Sequence, residues 1–172
     1  MNKKIEEAIN AQINAELWSA YLYLSMAANF HSAGFSGIAN WFEVQFKEEQ
    51  DHATILYNYL ISRGGRVELK AIDSVPTSWD SPLDAFESTL EHEKEVTGMI
   101  NDLNALAMKE NDYATQNRMQ WFIDEQVEEE DTAQKLIDSL KMIKDNGFGL
   151  YMFDKELAAR TYTQASPLQT TE

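Results

Sequence analysis

A chain of 172 residues with 44% hydrophobic and 11% aromatic content can bury one sizeable core and is too apolar to stay disordered. Its formal net charge of −15, from 29 acidic against 14 basic side chains, would repel a phosphate backbone and argues against nucleic-acid binding. Lack of cysteine excludes disulfides, thiolate zinc sites, iron–sulfur clusters and cysteine nucleophiles, and no apolar run approaches a membrane span.

The start, Met1 to Glu7, enters an amphipathic pattern with no apolar signal core, so a soluble, cytoplasmic protein is expected. Residues 3–32 carry Ile5, Ile9, Ile13, Leu17, Ala20, Leu24, Ala27 and Phe30 at steps of three and four, which predicts one long helix ended by His31-Ser32-Ala33-Gly34. Ser36 reads as the N-cap of a second helix running to about Ser62, where Arg63-Gly64-Gly65 stops it. From Arg66 to Ser81 the helical period is lost. Ser81-Pro82 then reads as a cap followed by proline at the first helical position, opening a third helix to about Glu110. Asn111-Asp112 turns the chain into a fourth helix ending near Asp145, and after Gly147-Phe148-Gly149 a short helical segment spans Leu150 to Arg160. Residues 161–172 read as a frayed polar tail, leaving 1–160 as one all-α domain. Two short turns and one long crossover join the four long helices, a connectivity that resembles that of ferritin-like four-helix bundles.

Each long helix has one inward stripe, and each stripe has a polar break near its middle. The stripes are Ile9, Ile13, Glu16, Ala20, Tyr23, Ala27; then Ile38, Phe42, Gln45, Glu49, His52, Leu56. The third and fourth helices give Leu83, Phe86, Leu90, Glu93, Ile100, Leu103 and Met119, Phe122, Gln126, Glu129, Ala133, Leu136, Leu140. A carboxylate on an apolar stripe is costly to bury unless it is paired, hydrogen-bonded or metal-bound. The breaks also correspond: a shift of 77 positions carries Glu16 onto Glu93, Glu49 onto Gln126 and His52 onto Glu129. The chain is thus a pseudo-repeat of two helical hairpins, and packing them together brings the breaks to one level. For one such acid alone an ordinary solvated or hydrogen-bonded role is expected. Four stripes broken at matching registers point instead to a shared site.

Ligand type sets the chemistry. Residues three apart share a helix face, so Glu49 and His52 can reach one metal. Glu49 is the natural bridge to a second, which Glu93 and Glu129 would complete. Oxygen ligands with one imidazole suit Fe(II) or Mn(II) better than a closed zinc site. Tyr23 lies on the face of Glu16, either as core with a satisfied hydroxyl or as a partner beside the irons. Trp121 reads as core, His31 and His92 as surface or loop histidines, and the methionines as core filler. Glu48, Glu125 and Glu128 neighbour the ligands, and their register suggests a further cation site, although acidic runs are usually solvated.

The pattern of a Glu from each of two helices and Glu-x-x-His from the other two resembles ferritin-like di-iron proteins. Glu16 and Glu49-Gln50-Asp51-His52 fit it fully, while Gln126-Val127-Glu128-Glu129 departs from it. With Tyr23, His92-Glu93, Trp121, the block Asp124 to Glu130 and the closing Gly149 to Leu157, the chain resembles bacterial non-haem ferritins over essentially its whole length. That resemblance implies a homo-oligomeric hollow shell of 24 subunits, with the short fifth helix at the four-fold contacts. It implies a first iron site at Glu16, Glu49 and His52, and a second at Glu49, Glu93 and Glu129 with Gln126 nearby. It further implies a third site at Glu48, Glu125, Glu128 and Glu129, facing the cavity. The implied reaction is oxidation of Fe(II) to Fe(III) by O2 or H2O2, followed by storage of ferric mineral. Bacterioferritin would repeat Glu-x-x-His and place a haem-ligating Met after the bridging Glu; Gln126 and Gln50 stand there, so no haem is expected. A rubrerythrin-like peroxidase, the alternative non-storage redox enzyme, would usually add a rubredoxin domain built on cysteine ligands, and there is no cysteine. A DNA-protecting mini-ferritin would place its site between subunits.

Overall fold

A computed structural model describes residues 1–169; residues 170–172, the end of the expected tail, lie outside it. The described residues form α1 (Lys3–Ser32), α2 (Ser36–Ser62), α3 (Pro82–Lys109), α4 (Tyr113–Ile143), α5 (Gly147–Leu157) and a 3-10 turn at Ser166–Leu168. At 1.5 Å per residue, a 30-residue helix such as α1 is about 45 Å long.

Capping fixes most helix starts. Asn2 accepts from Lys4 N, Ser81 from Asp84 N, Asp112 from Thr115 N and Asn146 from Gly149 N, each satisfying an otherwise orphaned amide. Here α2 differs from the sequence expectation. Ser36 is its first helical residue, and the cap position, Phe35, makes no side-chain cap bond. The carboxylate of Asp154, on α5, accepts instead from Gly37 N and Ile38 N, both at 2.9 Å. A Cβ at Gly37 would sit 1.6 Å from the Asp154 carbonyl oxygen, so only glycine admits this approach. Three boundaries also move: α4 ends at Ile143 rather than Asp145, and α5 begins at Gly147, capped by Asn146, rather than at Leu150 and ends at Leu157 rather than Arg160.

α1 pairs with α2, and α3 with α4, as two antiparallel hairpins. The crossover runs back along α1: Asn10 donates to Arg66 O and accepts from Glu68 N at one end, and Ser25 donates to Pro76 O at the other. Consequently α3 starts at the end of the bundle where α2 starts. At the opposite end Arg63 makes a two-pronged bond to Asp112, at 3.0 and 3.1 Å, tying the hairpins together.

Two hydrophobic clusters fill the interior. One holds Met26, Phe30, Ile38, Phe42 and Phe86; the other holds Ile9, Leu56, Ile100, Met119 and Phe122. A polar layer of Glu16, Gln45, Glu49, His52, Glu93, Gln126 and Glu129, all buried, separates them. The segment after α5 is not frayed where it is described: Tyr162 OH and Ala165 N both donate to Asp51 on α2 at 2.8 Å.

Candidate metal centre

The polar layer is assembled by register alone. Glu16 on α1 and the Glu49–His52 pair on α2 present ligand atoms that all lie within 4.8 Å of one another, and each residue is buried. Among the described residues this is the one such group of three or more. His52 Nδ1 lies 3.4 Å from Glu49 Oε2, and its ring stands edge-on to Trp121 and Phe122. Gln12, one turn before Glu16, donates to Glu16 Oε1 at 2.9 Å. Glu16 Oε2 is buried with no hydrogen-bond partner. Such an oxygen is costly to leave unsatisfied, and a cation held between these three residues would relieve it.

Glu93 and Glu129 complete the layer differently. Glu93 accepts from the Tyr23 hydroxyl at Oε1 and from Gln126 Nε2 at Oε2, the latter at 3.1 Å. Gln126 Nε2 also lies 3.1 Å from Glu93 O and 3.3 Å from Thr97 Oγ1. Thr97 in turn donates to Glu130 Oε1 at 2.6 Å. Glu129 Oε2 accepts from Gln45 Nε2 at 2.9 Å.

Burial, then the charge on Glu49, pushes the Glu16 carboxyl up to about 8. Burial and then the charge on Glu93 hold Glu49 and Glu129 well above the usual carboxylate range. Tyr23 is raised by burial and then by Glu93. In the metal-free protein these carboxyls therefore retain protons that an incoming cation would displace. Three converging ligands, one of them an imidazole, in an oxygen-rich layer form a donor set suited to Fe(II).

Glu48, Glu125 and Glu128 are not gathered into a comparable set. Glu48 pairs with Arg160 at 2.6 Å, Glu125 is half-buried, and Glu128 is exposed. Burial chiefly raises both Glu48 and Glu125; the Glu125 charge adds to the first and that of Glu128 to the second. His92 departs from the surface role expected of it: it packs against Trp18 and Tyr23, with Nε2 2.8 Å from Ser19 Oγ. Burial lowers its pKa. His31 stays at the surface, 2.8 Å from Glu43. The supporting role of Gln12 is readable from its place one turn before Glu16 on the same helix face, whereas the α2 stripe marks Gln45 as inward but not its partner Glu129. That of Arg160 had no signal in periodicity or motif.

The ferritin-like domain model matches residues 6–143. A Bacteroides fragilis (strain 638R) protein named bacterial non-heme ferritin is 44% identical over 160 residues, covering 93% of this chain and 99% of that protein. A namesake from Staphylococcus haemolyticus (strain JCSC1435) is 40% identical over 164 residues, covering 95% and 99%. The crystal structure of an open pore ferritin from the archaeon Archaeoglobus fulgidus superposes with a TM-score of 0.93 at 48% identity, covering 94% of this chain and 99% of that one. A family model spanning residues 6–143 and relatives 40–44% identical over more than nine-tenths of the chain leave one conclusion: the chain belongs to the ferritin-like domain family.

Proposed function

We propose that the chain is a ferritin subunit that oxidises Fe(II) with O2 or H2O2 and stores the ferric product inside a hollow homo-oligomeric shell. The observation that carries this reading is the buried convergence of Glu16, Glu49 and His52, with Glu16 Oε2 lacking a partner. Glu16 and His52 would hold the first Fe(II), and Glu49 would bridge it to a second held by Glu93 and Glu129, with Gln126 alongside. Each of two Fe(II) ions gives up one electron. O2 takes both with two protons and leaves as H2O2; with H2O2 as oxidant, the two electrons and two protons break the O–O bond and two waters leave.

The protein contributes position and charge. The carboxylates favour Fe(III) over Fe(II) and release their retained protons as metal enters. The two hydrophobic clusters above and below keep the polar layer from opening to bulk water. Tyr23 orients Glu93 and is placed to supply a hydrogen atom or electron nearby. Glu48, Glu125, Glu128 and Glu129 are proposed as a third, transit position on the way to the cavity.

A homo-oligomer suits the surface. Phe148, Tyr151 and Met152 on α5 and Met142 on α4 are exposed, beside a groove of about 710 Å3 lined by Leu136, Ile143 and Phe153. A shell of 24 copies, with α5 at the four-fold contacts, is the assembly proposed. Residues 1–160 are taken as one domain with 161–172 appended. No helix among the described residues is long and apolar enough to cross a membrane. Cytoplasmic residence is proposed because the reaction consumes Fe(II), which persists in a reducing compartment.

The test is aerobic addition of Fe(II) to the metal-free protein, following Fe(III) absorbance and particle size together. Fast oxidation, with far more iron retained per large particle than its ligand sets could bind, is the expected result. Saturation at about two irons per chain would point to a rubrerythrin-like redox enzyme. A rate no greater than the protein-free control would overturn both.

A further inference from the structure

Arg160 follows α5, and its guanidinium reaches back to α2. Its Nη2 donates to Gln45 Oε1 at 2.5 Å and to Glu48 Oε2 at 2.6 Å, while Nη1 donates to Trp41 O at 3.2 Å. The guanidinium carbon lies 4.5 Å over the Trp41 ring, and Asn40 Nδ2 donates to Arg160 O at 3.0 Å. Together these contacts immobilise one side chain at the rim of the polar layer.

A guanidinium only donates hydrogen bonds, so the oxygen end of the Gln45 amide must face it. The nitrogen end then has to point the other way, and there Nε2 donates to Glu129 Oε2 at 2.9 Å. Gln45 is fully buried and lies between Arg160 and Glu129. We propose that Arg160 is a positioning residue for the second metal position: it sets the orientation of the Gln45 amide and, through it, the carboxylate of Glu129. This rests on the reading of Glu129 as a ligand of that position. With one Glu129 oxygen occupied by Gln45, the other is left to the metal. Without Arg160 the amide is free to turn its oxygen toward Glu129, which repels the carboxylate and spoils its placement. A cation taking Glu48 would have to displace the guanidinium, so occupancy there and the clamp on Glu129 oppose each other.

Zn(II), which is redox-inert, tests this by calorimetry on the assembled metal-free protein. Arg160→Gln should weaken the second Zn(II) about ten- to a hundredfold, the usual effect of removing a support behind a ligand. The first Zn(II), at Glu16, Glu49 and His52, should keep its affinity. Gln45→Met keeps Arg160 on Glu48 and Trp41, and should weaken the second Zn(II) to a similar degree by itself. In the Gln45→Met background, Arg160→Gln should add nothing, because the relay is already cut. A second Zn(II) unchanged in Gln45→Met overturns the proposal even if Arg160→Gln does not assemble. Weakening of both metals together, alongside a lower Tm, also overturns it, since a purely structural role would do that. Wild-type protein that takes up only one Zn(II) per chain would remove the two-metal reading and this proposal with it. Two bound Zn(II) with unaffected variants would remove this proposal alone.

Discussion

The two hairpins occupy equivalent places and handle buried charge in opposite ways. In α1–α2, Glu16, Glu49 and His52 converge, and one oxygen of Glu16 has no partner at all. In α3–α4, the residues 77 positions on are Glu93, Gln126 and Glu129. There an amide stands in place of the Glu49 carboxylate, and it donates to Glu93 at 3.1 Å. Tyr23 supplies the other oxygen of Glu93, and Gln45 supplies Glu129. Both of those donors come from the first hairpin. One half is left short of neutral donors; in the other, both oxygens of Glu93 and one of Glu129 are met by neutral donors. From this difference we propose that a first metal would be held tightly and a second would exchange.

The comparison breaks most completely if the first half is disabled. Glu49→Ala and His52→Ala should each slow rapid Fe(II) oxidation by more than about a hundredfold, beyond the loss typical of a support residue, while particle size is unchanged. Wild-type rates in stopped-flow absorbance would dismiss the site. Making the second half resemble the first is the next largest change. Gln126→Glu removes the donor to Glu93 and sets a carboxylate against it. The metal-free protein should lose roughly 2–3 kcal/mol, and the second Zn(II) should bind about tenfold tighter, by thermal melting and calorimetry.

A third test uses pH. Glu16 titrates near 8 when folded, against an ordinary value of 4.5, so between these values the folded state holds a proton that the unfolded state has lost. Stability of the metal-free protein must therefore be greatest near and below pH 4.5 as far as this group goes, and fall as pH rises through about 8. Glu49 and Glu129 are shifted in the same direction and steepen the fall. Melting curves from about pH 5 to 8 should show it, with a shallower slope in Glu16→Gln; an equal slope would contradict the assignment. The smallest effect belongs to Tyr23→Phe, which keeps the stack on Phe42 and loses the donor to Glu93. It should cost about 1 kcal/mol and slow oxidation less than about tenfold.

Much of this was legible from periodicity. Every polar break in the four stripes is buried, because an acid at a core register has nowhere else to go once both hairpins close. Leu24, inward by its spacing, is instead exposed, since a single step of three or four does not define the centre of a stripe. Local pattern puts the cap of α2 at Ser36 because it cannot see Asp154, 117 residues away from Gly37. Arg160 and Tyr162 are hidden for the same reason: their partners Gln45, Glu48 and Asp51 are distant in sequence and obey no period. His92 reads as a surface residue because one polar residue beside Glu93 gives no sign of the Trp18 and Tyr23 rings that enclose it.

The Asp154 cap has a temporal side. During synthesis α1 and α2 emerge long before α5, so the opening amides Gly37 N and Ile38 N have only water until the last helix is made. The hairpin that carries Glu16, Glu49 and His52 therefore matures last in its outer turn, although it is translated first. A chain released early, short of residue 154, would leave that turn frayed and uncovered, marking it for proteolysis before it could join an assembly.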